Sequence, residues 1–291
     1  MHLWQEYRQP TSISEAIEDL INAPAPAVPI AGGTDLLLDM RQGRREPAHT
    51  LIDLSGVAEM NVIEEREGYI FIGACVPVNR IIANPKIQDN AQALVEACEL
   101  IAGPQVRNTA TLGGNVAHAL PAADGTIALV ALGAIVEIAA PNGLQKLPFK
   151  KLFLGPGDSA IDRSSELIAG FYIPFSNSEQ ASAFKRIMRP QGVALPILNC
   201  AVWVDRKGDI VNDVRISIGP GGPTPFRATD AENTLHGQTC DELVLNQAFI
   251  RVLNQGSFRT SPRRATSEYR KHLLTGLFRD TFTEAWSRAE T

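Results

Sequence analysis

Pro29-Ile30-Ala31-Gly32-Gly33-Thr34-Asp35-Leu36 joins a short apolar run to the start of an amphipathic one, and the fold turns on how it is read. Ala27 to Ile30 is apolar and bounded by Pro26 and Gly32, which suits a buried strand. Thr34 then opens Leu36 to Met40, which suits a helix beginning after a glycine turn. A second segment, Thr111-Leu112-Gly113-Gly114-Asn115, repeats the theme of paired glycines beside a residue able to cap or hydrogen-bond. Glycine reaches φ > 0 and lets backbone N–H groups converge on an oxyanion with no Cβ in the way. A helix start adds unpaired amides and the positive end of its dipole. One Gly-Gly pair marks a tight turn and no more. Two pairs, one followed by Thr-Asp and the other by Asn, read as two halves of one anion cradle suited to phosphate.

The identity of that phosphate ligand is narrowed by what is missing. A P-loop needs Lys and then Ser or Thr after its last glycine, and neither segment has them. Gly155-Pro156-Gly157-Asp158-Ser159-Ala160 is a degenerate dinucleotide fingerprint with proline where the turn should lead into a helix, so it reads as a loop. Nucleotide triphosphate hydrolysis and Rossmann-type binding are both disfavoured.

Outward from the loops, 291 residues with 44% apolar and 20% charged content can bury one large core or two smaller ones, and two domains are expected. A net charge of −5 leaves no general cationic field for a nucleic-acid backbone. The N-terminus lacks a basic stretch followed by an apolar run, and no segment approaches the roughly 20 apolar residues of a membrane span, so a soluble cytoplasmic protein is expected. Cys75, Cys98, Cys200 and Cys240 lie far apart with no C-x-x-C pair, so spacing signals neither zinc nor an iron–sulfur cluster.

Thr50 to Leu54 and Tyr69 to Ala74 read as strands, and Asn90 to Ala102 and Asp124 to Leu132 as helices. Pro141-Asn142-Gly143 turns between two runs and predicts a hairpin, and Leu167 to Ile173 adds a strand closed by Pro174. Ser176 to Gln180 has the polar composition of a domain connection. Beyond it, Ala194 to Val204 and Asp213 to Ile218 flank the turn Asp205 to Asp209 as an antiparallel pair, which ends at Gly219-Pro220-Gly221-Gly222-Pro223. From Asp241 to Ala289 the spacing becomes helical. The fold class is α+β.

Five segments together resemble, in family order, the FAD-binding medium subunit of the molybdenum hydroxylases, the xanthine dehydrogenase and carbon monoxide dehydrogenase family. They are Pro29 to Leu36, Thr111 to Asn115, Pro121-Ala122-Ala123-Asp124, Gly219 to Glu232, and Arg264 to Leu273. The resemblance implies an FAD-binding domain of the PCMH or vanillyl-alcohol-oxidase type over 1–176, built from two α/β subdomains. It implies an α+β domain of the CO dehydrogenase flavoprotein C-terminal type over 181–288. By resemblance, Pro29, Ile30, Ala31, Gly32, Gly33, Thr34, Asp35 and Leu36 would wrap the FAD diphosphate, and Thr111, Gly113, Gly114 and Asn115 would face it from across a cleft. Ile101 and Ile168 would line the cofactor, Asp124 would accept its hydroxyl hydrogen bonds, and Lys185 would reach the flavin. A lysine at the pyrimidine end stabilises negative charge on reduced flavin. Read without the family, Asp124 is a first-turn carboxylate and Lys185 a solvated charge. No catalytic acid or base and no metal ligand is assigned, and His118 is taken as structural.

The implied role is electron relay. A large partner subunit would carry the molybdenum cofactor and a small one two [2Fe-2S] clusters, and this chain would pass electrons through FAD to an external acceptor. The sequence departs from the family at Gln191-Gly192-Val193, where many members have an acidic or aromatic residue, so acceptor specificity does not carry over. That departure motivates one alternative, a cofactor-free scaffold subunit. A stand-alone flavin oxidase is a third reading, but no candidate base for it is apparent.

Overall fold

The computed structural model describes residues 2–190, 195–262 and 264–289. The segment Gln191 to Val193 therefore lies outside the described residues.

The first layer is a three-stranded parallel sheet. β1 (Glu6–Arg8) is followed by α1 (Ile13–Asn22), β2 (Ala27–Ile30), α2 (Leu36–Arg41) and β3 (Thr50–Asp53), with β3 in the middle. Ser12 caps α1 by accepting the Glu15 N–H, and Ala16, Ile17 and Leu20 put one face of it in the core. The strand–glycine turn–helix reading of Ala27 to Met40 holds, with Gly33 at φ +66° supplying the turn.

The second layer is a five-stranded antiparallel sheet in the order β4-β5-β10-β6-β7. Its strands are β4 (Ile63–Arg66), β5 (Tyr69–Gly73), β6 (Ile135–Ala140), β7 (Gly143–Pro148) and β10 (Leu167–Pro174); a small hairpin, β8 (Phe153–Gly155) with β9 (Asp158–Ser159), precedes β10. Between β5 and β6 run α3 (Val78–Ile82), α4 (Pro85–Asn90), α5 (Gln92–Glu99), α6 (Pro104–Arg107), α7 (Leu112–Ala117) and α8 (Asp124–Ala131). The predicted single helix over Asn90 to Ala102 is split. Asn90 ends α4 because its side chain accepts the Ser176 N–H (2.9 Å), tying the break to the connection between the two halves. Its far end stops at Glu99, with Ala102 in the left-handed region at φ +46°. There the Arg107 guanidinium donates to the carbonyls of Glu99, Ile101 and Ala102 at 2.7 to 3.2 Å.

The third layer is a four-stranded antiparallel sheet of β11 (Gln180–Ile187), β12 (Leu198–Lys207), β13 (Ile210–Gly219) and β14 (Phe226–Arg227). The turn predicted over Asp205 to Asp209 shrinks to Gly208 and Asp209, because the β12 and β13 ladder runs on through Asp205 to Lys207. Three helices follow: α9 (Thr229–Leu235), α10 (Glu242–Gln255) and α11 (Ser267–Arg288). Of these, α9 is not marked by any apolar periodicity in the sequence. Arg270, Leu274, Leu277, Phe278, Thr281, Phe282 and Ala285 are the buried face of the 22-residue α11.

The first half holds a large apolar core and a small one of Val28, Ile30, Met40, Ala48 and Leu51, and another core fills the β11–α11 half. Phe184, Ala201 and Trp203 belong to the first core although they sit on β11 and β12. The two halves are thus packed together through α5 and α8.

Candidate functional site

The two glycine segments meet. A Cβ on Gly32 would fall 2.1 Å from the Thr109 carbonyl oxygen, so the backbone leading into Thr111 lies directly on the first loop. Only glycine permits that approach.

The two segments differ in what they offer. Among the described residues, the amides of Gly32, Gly33, Thr34, Asp35 and Leu36 donate no hydrogen bond, and Asp35 places no side-chain cap on the α2 start. The second segment is spoken for: Thr111 caps α7 by accepting the Gly114 N–H (3.0 Å), Gly113 N–H donates to Ala74 (2.9 Å) and Asn115 N–H to Thr111 (3.1 Å). A Cβ at Gly113 would strike the Ala74 carbonyl at 2.5 Å, so its lack of a side chain lets α7 sit against β5. The symmetrical cradle expected from sequence is therefore one donor loop and one bare wall. Consecutive free N–H groups suit a diphosphate.

A cleft of about 210 Å³ opens beside them. Of the residues expected at the cofactor, Pro29, Ala31, Gly113, Gly114 and Ile168 line it. Leu54, Met60, Ala74 and Ile161 supply apolar wall, and Arg45, Arg163 and Glu166 bring charge. Sequence reading missed these three. Arg163 stands just after the Gly-Pro-Gly loop that was set aside, and Arg45 sits in a basic surface-like run, so neither carried a signal. Cys75 is buried in the same wall, where burial pushes its thiol up to about 12.

Ile30, Gly32 to Leu36 and Thr111 flank the cleft in sequence without lining it, and the remaining expected residues lie elsewhere. Ile101 is half-buried against the first core, on the turn held by Arg107. Asn115 keeps its Oδ1 buried without a partner, facing Gly125. Asp124 does not line the cleft: Oδ2 takes a 2.5 Å ion pair from Arg186 and Oδ1 a 2.7 Å hydrogen bond from Asn199, and the carboxylate is 5% exposed. Burial pushes its pKa up, against the opposing effects of Arg186 and Asn199. Lys185 turns the other way, to Glu284 of α11 at 3.7 Å, with 39% of its side chain exposed. Neighbours on a strand face opposite sides, so Arg186 and not Lys185 faces the first half.

Among the described residues no group of His, Cys, Asp and Glu could hold a metal ion, and no helix is long and apolar enough to cross a membrane.

A parallel sheet and a helix-bearing antiparallel sheet with a donor loop beside a cleft, and a sheet-and-helix unit packed against them, describe a flavoprotein subunit. The chain belongs to the molybdopterin dehydrogenase flavoprotein family: residues 4–176 match the FAD binding domain in molybdopterin dehydrogenase, and residues 182–285 match the CO dehydrogenase flavoprotein C-terminal domain. It is 31% identical to the carbon monoxide dehydrogenase medium chain of Hydrogenophaga pseudoflava over 80% of each chain. It is 29% identical to a putative xanthine dehydrogenase FAD-binding subunit of Escherichia coli, over 97% of this chain and 96% of that one. A solved carbon monoxide dehydrogenase from Hydrogenophaga pseudoflava superimposes with a TM-score of 0.92 at 28% identity, covering 98% of both chains.

Proposed function

We propose that this chain is the FAD-bearing relay subunit of a molybdenum hydroxylase-type complex, working with a large molybdenum-cofactor subunit and a small [2Fe-2S] subunit in the cytoplasm. The carrying observation is the run of undonated amides from Gly32 to Leu36, pressed by Gly32 against the backbone that leads into the second loop and continuing from Pro29 and Ala31, which line the cleft. The FAD half is taken as 1–176 and the second half as 181–288.

FAD, when bound, supplies a redox centre that exchanges electrons both singly and in pairs. The chain's own residues do the binding and shaping. Gly32 to Leu36 would donate to the diphosphate, with Pro29, Ile30 and Ala31 leading the backbone to it. Gly113 and Gly114 would form the facing wall, held by the Thr111 cap with Asn115 behind it, and Ile168 would exclude water from the apolar parts of the cofactor, with Ile101 on a turn away from the cleft. Asp124 acts at one remove, by fixing Arg186 between the halves. For Lys185, which the family resemblance brings to the flavin, the pairing with Glu284 leaves Arg186 as the cation nearer the first half.

The full chain purified from FAD-replete cells is expected to show flavin absorbance at about one FAD per chain. Gly114→Val is expected to lose that flavin, since Gly114 lines the cleft, and to lower the melting temperature of the apoprotein only slightly, since within 4 Å its Cβ meets Thr111 Oγ1 alone, at 3.2 Å. A colourless wild type that binds no added FAD would overturn this reading in favour of a cofactor-free scaffold. Co-purification with the two partner subunits tests the rest.

A further inference from the structure

Arg45 and Arg163 stand together at the mouth of the cleft, and neither is used by the site as described so far. Both are exposed, and they come from distant parts of the chain, one ahead of β3 and the other after β9. Among the described residues, the Arg45 guanidinium has no hydrogen-bond or ion-pair partner. Asp39, the acid whose charge acts on it, is held by Arg44 at 2.6 Å. Arg163 donates only to the Gly157 carbonyl (2.7 Å), which positions it without neutralising it. Glu166, also on the cleft, accepts the Asp162 N–H (2.8 Å).

The two guanidinium groups feel each other. Although Arg45 is exposed, partial desolvation at the cleft wall and after it the charge of Arg163 lower its pKa, against the opposing charge of Asp39. Two like charges on one cleft repel each other, and a dianion between them reverses that sign. The undonated amides of Gly32 to Leu36 follow directly on Ala31, which lines the same cleft, so the donors beside the cleft and the cations on it favour an anionic ligand.

We propose that Arg45 and Arg163 form a two-cation clamp on the adenosine diphosphate half of the cofactor, and that this clamp sets how tightly FAD is retained. The inference rests on the FAD reading above and extends it to residues outside the loops. Guanidinium groups suit this task because they stay charged and present forked donors to phosphate oxygens.

The test uses the full chain stripped of flavin, titrated with FAD and, separately, with ADP, for wild type, Arg45→Ala, Arg163→Ala and the double variant. Each single variant should bind ADP about tenfold more weakly, and the double variant more weakly still. Wild-type ADP affinity should fall as salt is raised, with a smaller slope in the double variant, and lysine at either position should restore part of the affinity. Both side chains are exposed, so unchanged apoprotein melting is expected and separates lost binding from lost folding. ADP and FAD affinities in the double variant within twofold of wild type would overturn the clamp while leaving the FAD reading intact. Arginine-dependent ADP binding with no uptake of FAD would keep the clamp and overturn the FAD reading.

Discussion

Gly32 and Gly33 show how much a single residue decides here. Gly33 needs its φ of +66°, and Gly32 needs the space that the Thr109 carbonyl takes. Gly32→Ala forces two backbones apart, and backbone cannot give as a side-chain tip can. It is expected to strip flavin from the purified chain and lower its melting temperature, both read on one preparation. The phenol of Tyr7 donates to Asp53 at 2.6 Å, joining β1 to β3. That bond, and after it burial, raises Tyr7 to about 12. Its unfolded value is about 10, so the contribution is whole below pH ~10 and is lost as pH rises through about 12. Burial works against ionisation of Asp53, but hydrogen bonds from Tyr7 and Ser55 outweigh it and lower its pKa, so that share fades as the solution is made acid. Tyr7→Phe is expected to cost about 1 kcal/mol by denaturant titration and to remove the most alkaline step from the tyrosinate absorbance titration. A spectrum that keeps that step would place the shift on another tyrosine.

At the scale of elements, what could be read from the chain was what local chemistry settles. The glycine turn after β2, the Pro141-Asn142-Gly143 hairpin and the β12–β13 pair all follow from neighbours within a few residues. What could not be read depends on partners far away. The split at Asn90 is made by Ser176, and the left-handed Ala102 is held by Arg107. The choice between Lys185 and Arg186 needs the register of β11 on β12, because alternation says they part company without saying which way each goes. The cleft's arginines were illegible for a related reason: charge in a loop looks solvated until the fold puts it at a cavity. On α11, Gly276 has open space where a Cβ would go. Gly276→Ala is therefore expected to stabilise the protein by about 0.5–1 kcal/mol, with flavin content unchanged, as a thermal melt would report.

For the whole molecule, the Asp124–Arg186–Asn199 cluster joins the start of α8 to β11 and β12. Arg186→Met would leave the Asp124 carboxylate buried with only Asn199 against it, at a cost of about 3–5 kcal/mol. Asp124→Asn in turn leaves the buried Arg186 guanidinium without its counter-ion and is expected to cost a similar amount, whereas the double variant, which removes both charges, is expected to cost less than the two singles summed. Chemical denaturation should show this pattern, and an Arg186→Met protein as stable as wild type would mean that the halves are held by packing alone. The packing is considerable, since Phe184 and Trp203 from the second half sit in the first core.

Arg288, near the end of α11, donates to Glu96 at 2.5 Å and to the Ser182 carbonyl at 2.8 Å. Glu96 and Arg288 are 192 residues apart in the chain. At roughly 5–20 residues per second of synthesis, Glu96 waits roughly 10–40 s on the ribosome before its partner is made. This tie between the halves is therefore a late event in the life of each molecule, made only after α11 has emerged.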